Sequence, residues 1–308
     1  MAAGEFALID WIRRQAGPTD GSHVRFGIGD DAAVLDWPAA QACLVTTDML
    51  MEGVDFTLES ATPELIGRKS LAVNLSDIAA MGGRPVAAFV SLCLTQGAGE
   101  EFVRRFYEGL FALAREFSVV IAGGDTNSWA GSLVVNVTVL GTPCRGEPVL
   151  RSTAQPGDAI YVTGAVGGSL AGRHLTFTPR VTEAAEVIAI ARPSAMIDIS
   201  DGLSADLYHI LEASGVGARV AAADLPLSPD IARMPGGKSA LERGLSDGED
   251  FELLFTMSAD EGARLQAAWR HATPLTRIGV ITAETRKVLV LSDGAEVPLE
   301  RSGWTHSI

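Results

Sequence analysis

The 308-residue chain has only three cysteines, and its acidic side chains outnumber the basic ones to give a formal net charge of −14. Cys43, Cys93 and Cys144 lack the spacing of metal ligands and cannot all pair, so we expect buried free thiols in a reducing compartment. The negative charge argues against a nucleic-acid partner and against an anionic membrane surface. The negative charge does not exclude a nucleotide ligand, because a bound metal ion can reverse the local sign of the charge.

Long apolar runs and several familiar catalytic signatures are also missing. No uninterrupted apolar run is long enough to span a bilayer, and residues 1–8 are too few and too acidic for a signal peptide. We therefore expect a cytoplasmic protein without a membrane partner. The five histidines show no zinc-binding spacing. Residues 236–239 resemble the end of a Walker loop, but Ala232 stands where that pattern needs glycine, which excludes a P-loop.

The chain does contain 47% hydrophobic residues, which is ample for a large buried core. Its length suggests about two domains. Residues 142–158 are rich in proline, glycine and charge, so we predict an N-terminal domain of residues 1–145 and a C-terminal domain of residues 146–308. The mixture of strand-like and helix-like segments predicts an α/β (α+β) fold.

Hydrophobic periodicity and helix-end signals predict the individual elements. In the first half, helices are expected at residues 4–15, 63–81 and 100–117, and strands at residues 42–47, 86–95, 119–122 and 133–141. In the second half, strands are expected at residues 159–163, 195–199, 218–222, 251–257, 277–281 and 288–291, and helices at residues 182–191, from about 203 to 214, and 259–271.

Carboxylates recur beside glycines and at the ends of apolar segments. Residues 27–33 read Gly-Ile-Gly-Asp-Asp-Ala-Ala, and a fold that orders adjacent Asp30 and Asp31 usually supplies a cation. Asp48 ends a strand-like run beside two threonine hydroxyls, and Asp125 follows two glycines that would let the backbone approach a phosphate closely. An ordinary turn is the alternative for all three sites.

Asp77 carries the most information among these residues. By helical spacing it shares a face with apolar or small residues such as Ile66 and Val73. An ionised carboxylate on a face that favours burial needs a partner. We predict a metal ligand, and the alternatives are a surface aspartate or a pair with Arg68 or Arg84.

The second half adds further acidic candidates. Asp198 lies in a run that is otherwise apolar, whereas Asp201 or Ser200 could simply cap the next helix. Glu249 alone is typical of a solvated turn. The working hypothesis is that the carboxylates converge on metal ions holding a polyphosphate. Phosphoryl transfer onto a phosphate acceptor needs no general base, because the acceptor oxygen is already ionised.

Five motifs together resemble the thiamine-monophosphate kinase family of the aminoimidazole ribonucleotide synthetase superfamily. They are Gly-Ile-Gly-Asp-Asp-Ala-Ala at residues 27–33, Thr-Thr-Asp at 46–48, Asn-Leu-Ser-Asp-Ile-Ala-Ala-Met-Gly at 74–82, Gly-Gly-Asp-Thr at 123–126 and Ile-Asp-Ile-Ser-Asp-Gly-Leu at 197–203. Gly-Glu-Phe at residues 4–6 and Gly-Glu-Asp-Phe-Glu-Leu at residues 248–253 match as well, so the resemblance covers nearly the whole chain.

The resemblance implies ATP-dependent, Mg²⁺-assisted phosphorylation of thiamine phosphate to thiamine diphosphate by direct in-line transfer, in thiamine diphosphate biosynthesis. The alternative is another ATP-dependent kinase or synthetase of the same superfamily acting on a related small molecule. It further implies a homodimer in which the N-terminal mixed sheet, with its helices, pairs across the dimer. A C-terminal α/β domain would complete a cleft for ATP and several Mg²⁺ ions.

The resemblance also assigns roles residue by residue. Asp77 and Asp125 would position the metal, and no residue would act as a general base. Asp55, a substrate-site residue, stands where the family commonly has histidine. The metal set would be Asp31, Thr47, Asp48, Asp77, Asp125, Asp198 and Asp201, with Asp30 and Thr46 close by. The ATP contacts would be Gly124, Asp125, Arg151 and Ser200, and the thiamine phosphate contacts would be Asp55, Glu249 and Trp304.

Overall fold

The computed structural model describes residues 2–16, 23–28 and 32–305, with side chains from residue 8 onward. The chain divides into two compact units. Unit 1 comprises Met1–Ile78 and Arg84–Pro143, and unit 2 comprises Ala79–Gly83 and Cys144–Ile308. Within the part of the chain that is described, no helix combines the length and apolar character that a membrane crossing requires.

Unit 1 is built on a four-stranded mixed sheet in the order β3-β6-β4-β5. β3 and β6 are antiparallel, whereas β4 and β5 are parallel. A separate antiparallel pair is formed by β1 and β2. The elements are α1 (Ala2–Gln15), β1 (Val24–Phe26), β2 (Val34–Leu35), β3 (Leu44–Met51), α2 (Pro63–Ala80), β4 (Gly83–Thr95), α3 (Glu100–Glu116), β5 (Val120–Trp129) and β6 (Val134–Pro143).

Helices α2 and α3 pack backbone against backbone at two glycines. A Cβ atom on Gly67 would lie 2.0 Å from the carbonyl oxygen of Phe106, and one on Gly109 would lie 1.9 Å from that of Glu64. The close approach keeps α2 almost completely buried. Pro63 begins α2, where its missing N–H costs nothing because the first turn has no intrahelical acceptor for it.

We predict that Gly67→Ala destabilises the protein by about 1–3 kcal/mol, because the added methyl group must push two helix backbones apart. Urea denaturation followed by circular dichroism measures the change. Gly236→Ala is the matched control, since nothing lies within 4 Å of a Cβ there, and its effect should stay within about 0.5 kcal/mol. Equal losses in both variants would contradict the packing argument.

Unit 2 is built on a seven-stranded sheet in the order β13-β12-β9-β11-β7-β10-β8. Its strands pair in antiparallel fashion except for β12 and β9, which are parallel. Every residue of the adjacent strands β7, β8 and β10 is buried. The elements are β7 (Ala159–Thr163), α4 (Val181–Ile190), β8 (Ala195–Asp198), α5 (Leu203–Ser214), β9 (Gly217–Ala221), α6 (Ala240–Ser246), β10 (Leu253–Met257), α7 (Ala259–Ala268), β11 (Leu275–Thr282), β12 (Lys287–Val290) and β13 (Glu296–Pro298).

The predicted α/β (α+β) class is confirmed, but three local predictions were wrong. Asp48 lies within β3 and Asp125 within β5, so neither ends its strand. A register shift between Ala88 and Phe89 of the neighbouring β4 accommodates the glycines before Asp125, and pairing then continues to Trp129. The cysteines are free as predicted, but none is buried.

Candidate active site

In unit 1, two carboxylates meet where β3 contacts α2. Asp48 and Asp77 lie within hydrogen-bonding distance of each other, and Thr46 Oγ1 donates a hydrogen bond to Asp77 Oδ2. Burial, followed by the negative charges of Asp77 and Asp55, raises the pKa of Asp48 to about 7. Carboxylates this close repel one another when both are ionised. A divalent cation relieves that repulsion, and carboxylate oxygens are the ligands that Mg²⁺ prefers.

The turn after β3 is fixed beside this carboxylate pair. The buried side chain of Lys69 donates from Nζ to the carbonyl oxygen of Asp55 at 2.7 Å. The Asp55 Oδ2 atom accepts a hydrogen bond from the Met51 N–H at 2.7 Å. The structure therefore places Asp55 close to Asp48, where its carboxylate both orders the turn and adds negative charge. Its contact with the substrate stays a prediction.

Thr47 points away from the carboxylate pair. Side chains alternate along a strand, so Thr46 and Asp48 share one face of β3 and Thr47 lies on the other. Its hydroxyl accepts hydrogen bonds from Thr138 Oγ1 at 3.0 Å and from Asn136 Nδ2 at 3.1 Å. The side chain of Thr47 therefore lies on the face opposite the carboxylate pair. Metal binding by Thr47 stays a prediction.

Asp125 is exposed on β5, at the opposite edge of the sheet from β3. Two strands, β6 and β4, lie between them in the order of the sheet. Gly124 precedes Asp125, and only glycine fits at this position. The φ angle of Gly124 is 155°, and a Cβ atom there would lie 2.0 Å from the Val90 carbonyl oxygen. The predicted metal residues of unit 1 thus fall into two places. Asp30 and Asp31 lie outside the described residues.

In unit 2, Asp198 is the last residue of β8, and the loop between β8 and α5 carries Ser200 and Asp201. The helix-capping alternative for Ser200 and Asp201 was wrong, because Gly202 is the N-cap of α5 and has no side-chain cap. Instead, Asp206 Oδ2 accepts the N–H groups of Asp201 and Gly202 at 3.1 and 3.0 Å. The Asp201 carboxylate is therefore not used to cap α5.

Two distant segments are hydrogen-bonded to this loop. The Glu249 N–H donates to the Ser200 carbonyl at 2.6 Å, and the Trp304 N–H donates to the Asp201 carbonyl at 2.9 Å. Trp304 is 54% exposed, so its indole is not part of the buried core. The structure thus joins predicted ATP, metal and substrate residues of unit 2 around one loop.

Sequence reasoning missed two residues beside this loop. Among the described residues, Asp201, Asp206 and His209 form the one group of three whose ligand atoms lie within 4.8 Å of one another. Burial and the charge of Asp201 raise the pKa of Asp206 to about 7. Burial and the positive charges of Arg301 and Arg151 lower the pKa of His209, which also places Arg151 near the loop. The signal in the sequence was the continuation of the Asp-Gly-Leu motif into a helix with acidic and histidine side chains.

Family models match both halves of the chain. Residues 29–142 match the AIR synthase related protein, N-terminal domain, and residues 155–292 match the C-terminal domain. The thiamine-monophosphate kinase of Rhodopirellula baltica is 42% identical, with 85% of each chain covered. The thiamine-monophosphate kinase of Escherichia coli K12 is 37% identical, with 99% of each chain covered.

Solved structures of thiamine-monophosphate kinases are also similar to this chain. Thiamine-monophosphate kinase from Stenotrophomonas maltophilia superposes with a TM-score of 0.80 at 37% identity, covering 95% of this chain and 98% of that one. AaThiL complexed with AMPPCP and TMP superposes with a TM-score of 0.76 at 32% identity, covering 98% of this chain and 97% of that one. The hydrogenase maturation protein HypE shares the fold at 18% identity, with a TM-score of 0.78.

Proposed function

The chain belongs to the thiamine-monophosphate kinase family, and we propose that it transfers the γ-phosphoryl group of ATP to thiamine phosphate. The products are thiamine diphosphate and ADP. Assignment to this family agrees with the resemblance carried by the sequence motifs. The single observation that supports the chemistry best is the Asp48–Asp77 pair, because its geometry suits a divalent cation bound to a phosphate.

The donor set at this pair fits Mg²⁺. Asp48 and Asp77 supply carboxylate oxygens, and Thr46 orients Asp77 through its hydroxyl. Mg²⁺ keeps several waters and binds through one or two carboxylates together with substrate phosphates. When bound, it neutralises charge on the phosphates and supports in-line transfer. Asp125, on β5 of the same sheet, would also bind metal.

The residues around the β8–α5 loop would bind the two substrates. Arg151 and Ser200 would contact ATP. Asp198 and Asp201 would bind metal. The Glu249 carboxylate would attract the cationic ring of thiamine, and the exposed indole of Trp304 would stack on it. The hydrogen bonds from Glu249 and Trp304 to this loop support a shared role.

The proposed reaction does not require a side chain to act as a general base. The attacking oxygen of thiamine phosphate is ionised at neutral pH, so no side chain has to remove a proton from it. Catalysis then depends on holding the acceptor phosphate in line with the bond that breaks and on neutralising charge. This agrees with a site that offers many carboxylates for metal and no evident general base.

The product identifies the reaction. The purified protein is incubated with ATP, Mg²⁺ and thiamine phosphate, and the products are separated and identified by mass spectrometry. We expect thiamine diphosphate and ADP in equal amounts. Formation of AMP would indicate pyrophosphoryl transfer and contradict the proposal, as would an unchanged thiamine phosphate pool.

The exposed face of β3 supports the proposed homodimer. Val45, Met49 and Met51 are 64%, 61% and 41% exposed and alternate along one face of this edge strand. Thr47 lies between Val45 and Met49 on the same face, which is therefore mainly rather than wholly apolar. Large apolar side chains exposed together on one face typically mark an interface. A second copy that pairs through the same sheet would cover it. We also propose a cytoplasmic location, where ATP is available to the enzyme.

We predict that Met49→Glu converts the dimer to a monomer at micromolar concentration, because a charge would be buried without a partner. Analytical ultracentrifugation measures the change. Leu170→Glu in unit 2 is the control, since Leu170 is 53% exposed and lies outside the proposed interface. A wild-type protein that sediments as a monomer would refute the dimer.

A further inference from the structure

Residues 248–252 of unit 2 follow a backbone path that costs free energy. Glu249 and Phe251 are not glycines, yet their φ angles are 61° and 51°. Residues with a Cβ atom rarely adopt such left-handed conformations, which persist only where surrounding contacts impose them. Such residues concentrate at functional sites. The contacts that impose this conformation therefore bear on the role of Glu249.

The backbone of Glu249 is held on both sides. Its N–H donates to the carbonyl oxygen of Ser200 at 2.6 Å. Its own carbonyl oxygen accepts a hydrogen bond from Ser169 Oγ at 2.6 Å. Ser200 belongs to the loop that carries Asp201, so these two bonds set where Glu249 lies relative to the proposed ATP and metal residues of unit 2.

Asp250 lies between the two strained residues, and Arg173 holds it. The Asp250 side chain is fully buried. Its Oδ1 atom accepts from Arg173 Nη2 at 2.8 Å, and its Oδ2 atom accepts from the Gly167 N–H at 2.8 Å. Arg173 Nη1 also donates to the Asp250 carbonyl oxygen at 3.4 Å. Three hydrogen bonds thus fix the residue next to Glu249.

Both sets of contacts come from one short stretch of chain. Ser169 lies in the 3-10 helix Ser169–Ala171, and Arg173 lies in the next one, Arg173–Leu175. On the far side, the Phe251 N–H donates to the Ile199 carbonyl at 2.8 Å. The strained segment is therefore held between this pair of 3-10 helices and the β8–α5 loop.

We propose that Arg173 and Asp250 are positioning residues that hold Glu249 against the Ser200 carbonyl, in the place where its carboxylate binds thiamine phosphate. This rests on the kinase function proposed above. Charge-assisted hydrogen bonds between guanidinium and carboxylate are strong and directional, which suits them to maintain a strained backbone. Displacement of Glu249 weakens binding of the acceptor, while the contacts proposed for ATP at Arg151 remain.

The first test separates the two substrates. Arg173→Gln should raise KM for thiamine phosphate roughly 10- to 100-fold, because small displacements of a binding group cost this much. KM for ATP should change less than about twofold. Asp230→Asn is the matched control, since Asp230 is the other carboxylate partner of Arg173, at 3.4 Å from Nε. It should leave both KM values within about twofold. An equal rise in both KM values for Arg173→Gln would overturn the proposal.

A double-mutant cycle shows whether Arg173 acts through Glu249. In a Glu249→Gln background, Arg173→Gln should raise KM for thiamine phosphate by less than about twofold further, because the carboxylate to be positioned is already gone. A further tenfold rise in that background would show that Arg173 acts elsewhere, and the proposal would be wrong.

Amide hydrogen exchange tests the same idea without any substrate. Residues 248–252 should exchange faster in Arg173→Gln than in wild type, and unchanged protection there would overturn the proposal. If Arg173→Gln does not fold, Ser169→Ala replaces it, because it removes only one hydroxyl from the Glu249 carbonyl. If the wild-type protein fails to phosphorylate thiamine phosphate, the kinase function fails, whereas the exchange experiment still decides whether Arg173 holds this segment.

Discussion

Asp77→Asn should lower kcat/KM at limiting Mg²⁺ by roughly 10²- to 10³-fold, the range found when one group that stabilises transition-state charge is removed. Asparagine keeps the shape of the side chain and the hydrogen bond from Thr46, but it loses the charge that binds the metal. The melting temperature should not fall, because the repulsion between Asp48 and Asp77 disappears with that charge. Initial rates over a Mg²⁺ titration measure the effect.

The control for this variant is Thr46→Val, which removes the hydroxyl that orients Asp77 but leaves both carboxylates. Residues that orient a metal ligand typically contribute about 10- to 100-fold, so its loss should be smaller. Full activity of Asp77→Asn at limiting Mg²⁺ would show that Asp77 is structural, and the burial argument from the sequence would then be wrong.

Without metal, the protein should become less stable as the pH rises from about 4 to 7. A carboxyl group with a raised pKa holds its proton in the folded state at a pH where the unfolded chain has lost it, so stability falls as pH approaches the folded pKa. The pKa of Asp48 and of Asp206 is raised to about 7 from the ordinary value of 3.8. Each contributes at most about 4 kcal/mol of such loss.

Urea denaturation in EDTA at pH 5.5 and pH 8 measures this loss. Mg²⁺ should then restore stability more at pH 8 than at pH 5.5, because it binds the ionised carboxylates. Asp48→Asn should reduce the pH dependence, of which Asp206 retains its share, and should weaken the response to Mg²⁺. A wild-type protein that becomes more stable between pH 5.5 and pH 8 in EDTA would contradict the assignment.

The sequence predicted the helices and motifs well because these depend on neighbouring residues. Pro63 and the spacing of apolar residues located α2, and the buried face of α2 that carries Asp77 was recovered from the same spacing. The capping box of α6, with Ser239 and Glu242, is an equally local signal that was overlooked.

The features that sequence reasoning missed depend on residues far apart in the chain. The strand β5 continues past Asp125 because β4 provides a parallel partner as far as Thr95. Glu249 likewise reaches Ser200 through the backbone. No local pattern encodes such contacts. Asp206 is the exception, because it accepts N–H groups only four and five residues away, and this local contact was overlooked.

The most direct test of the proposed function is ADP release measured side by side with thiamine phosphate and with thiamine as acceptor, each with Mg²⁺ and with EDTA. We expect turnover only when thiamine phosphate and Mg²⁺ are both present, because in the proposed mechanism the carboxylates bind a metal–phosphate complex and the acceptor phosphate needs no general base. Turnover with thiamine but none with thiamine phosphate, or full activity in EDTA, would contradict the account.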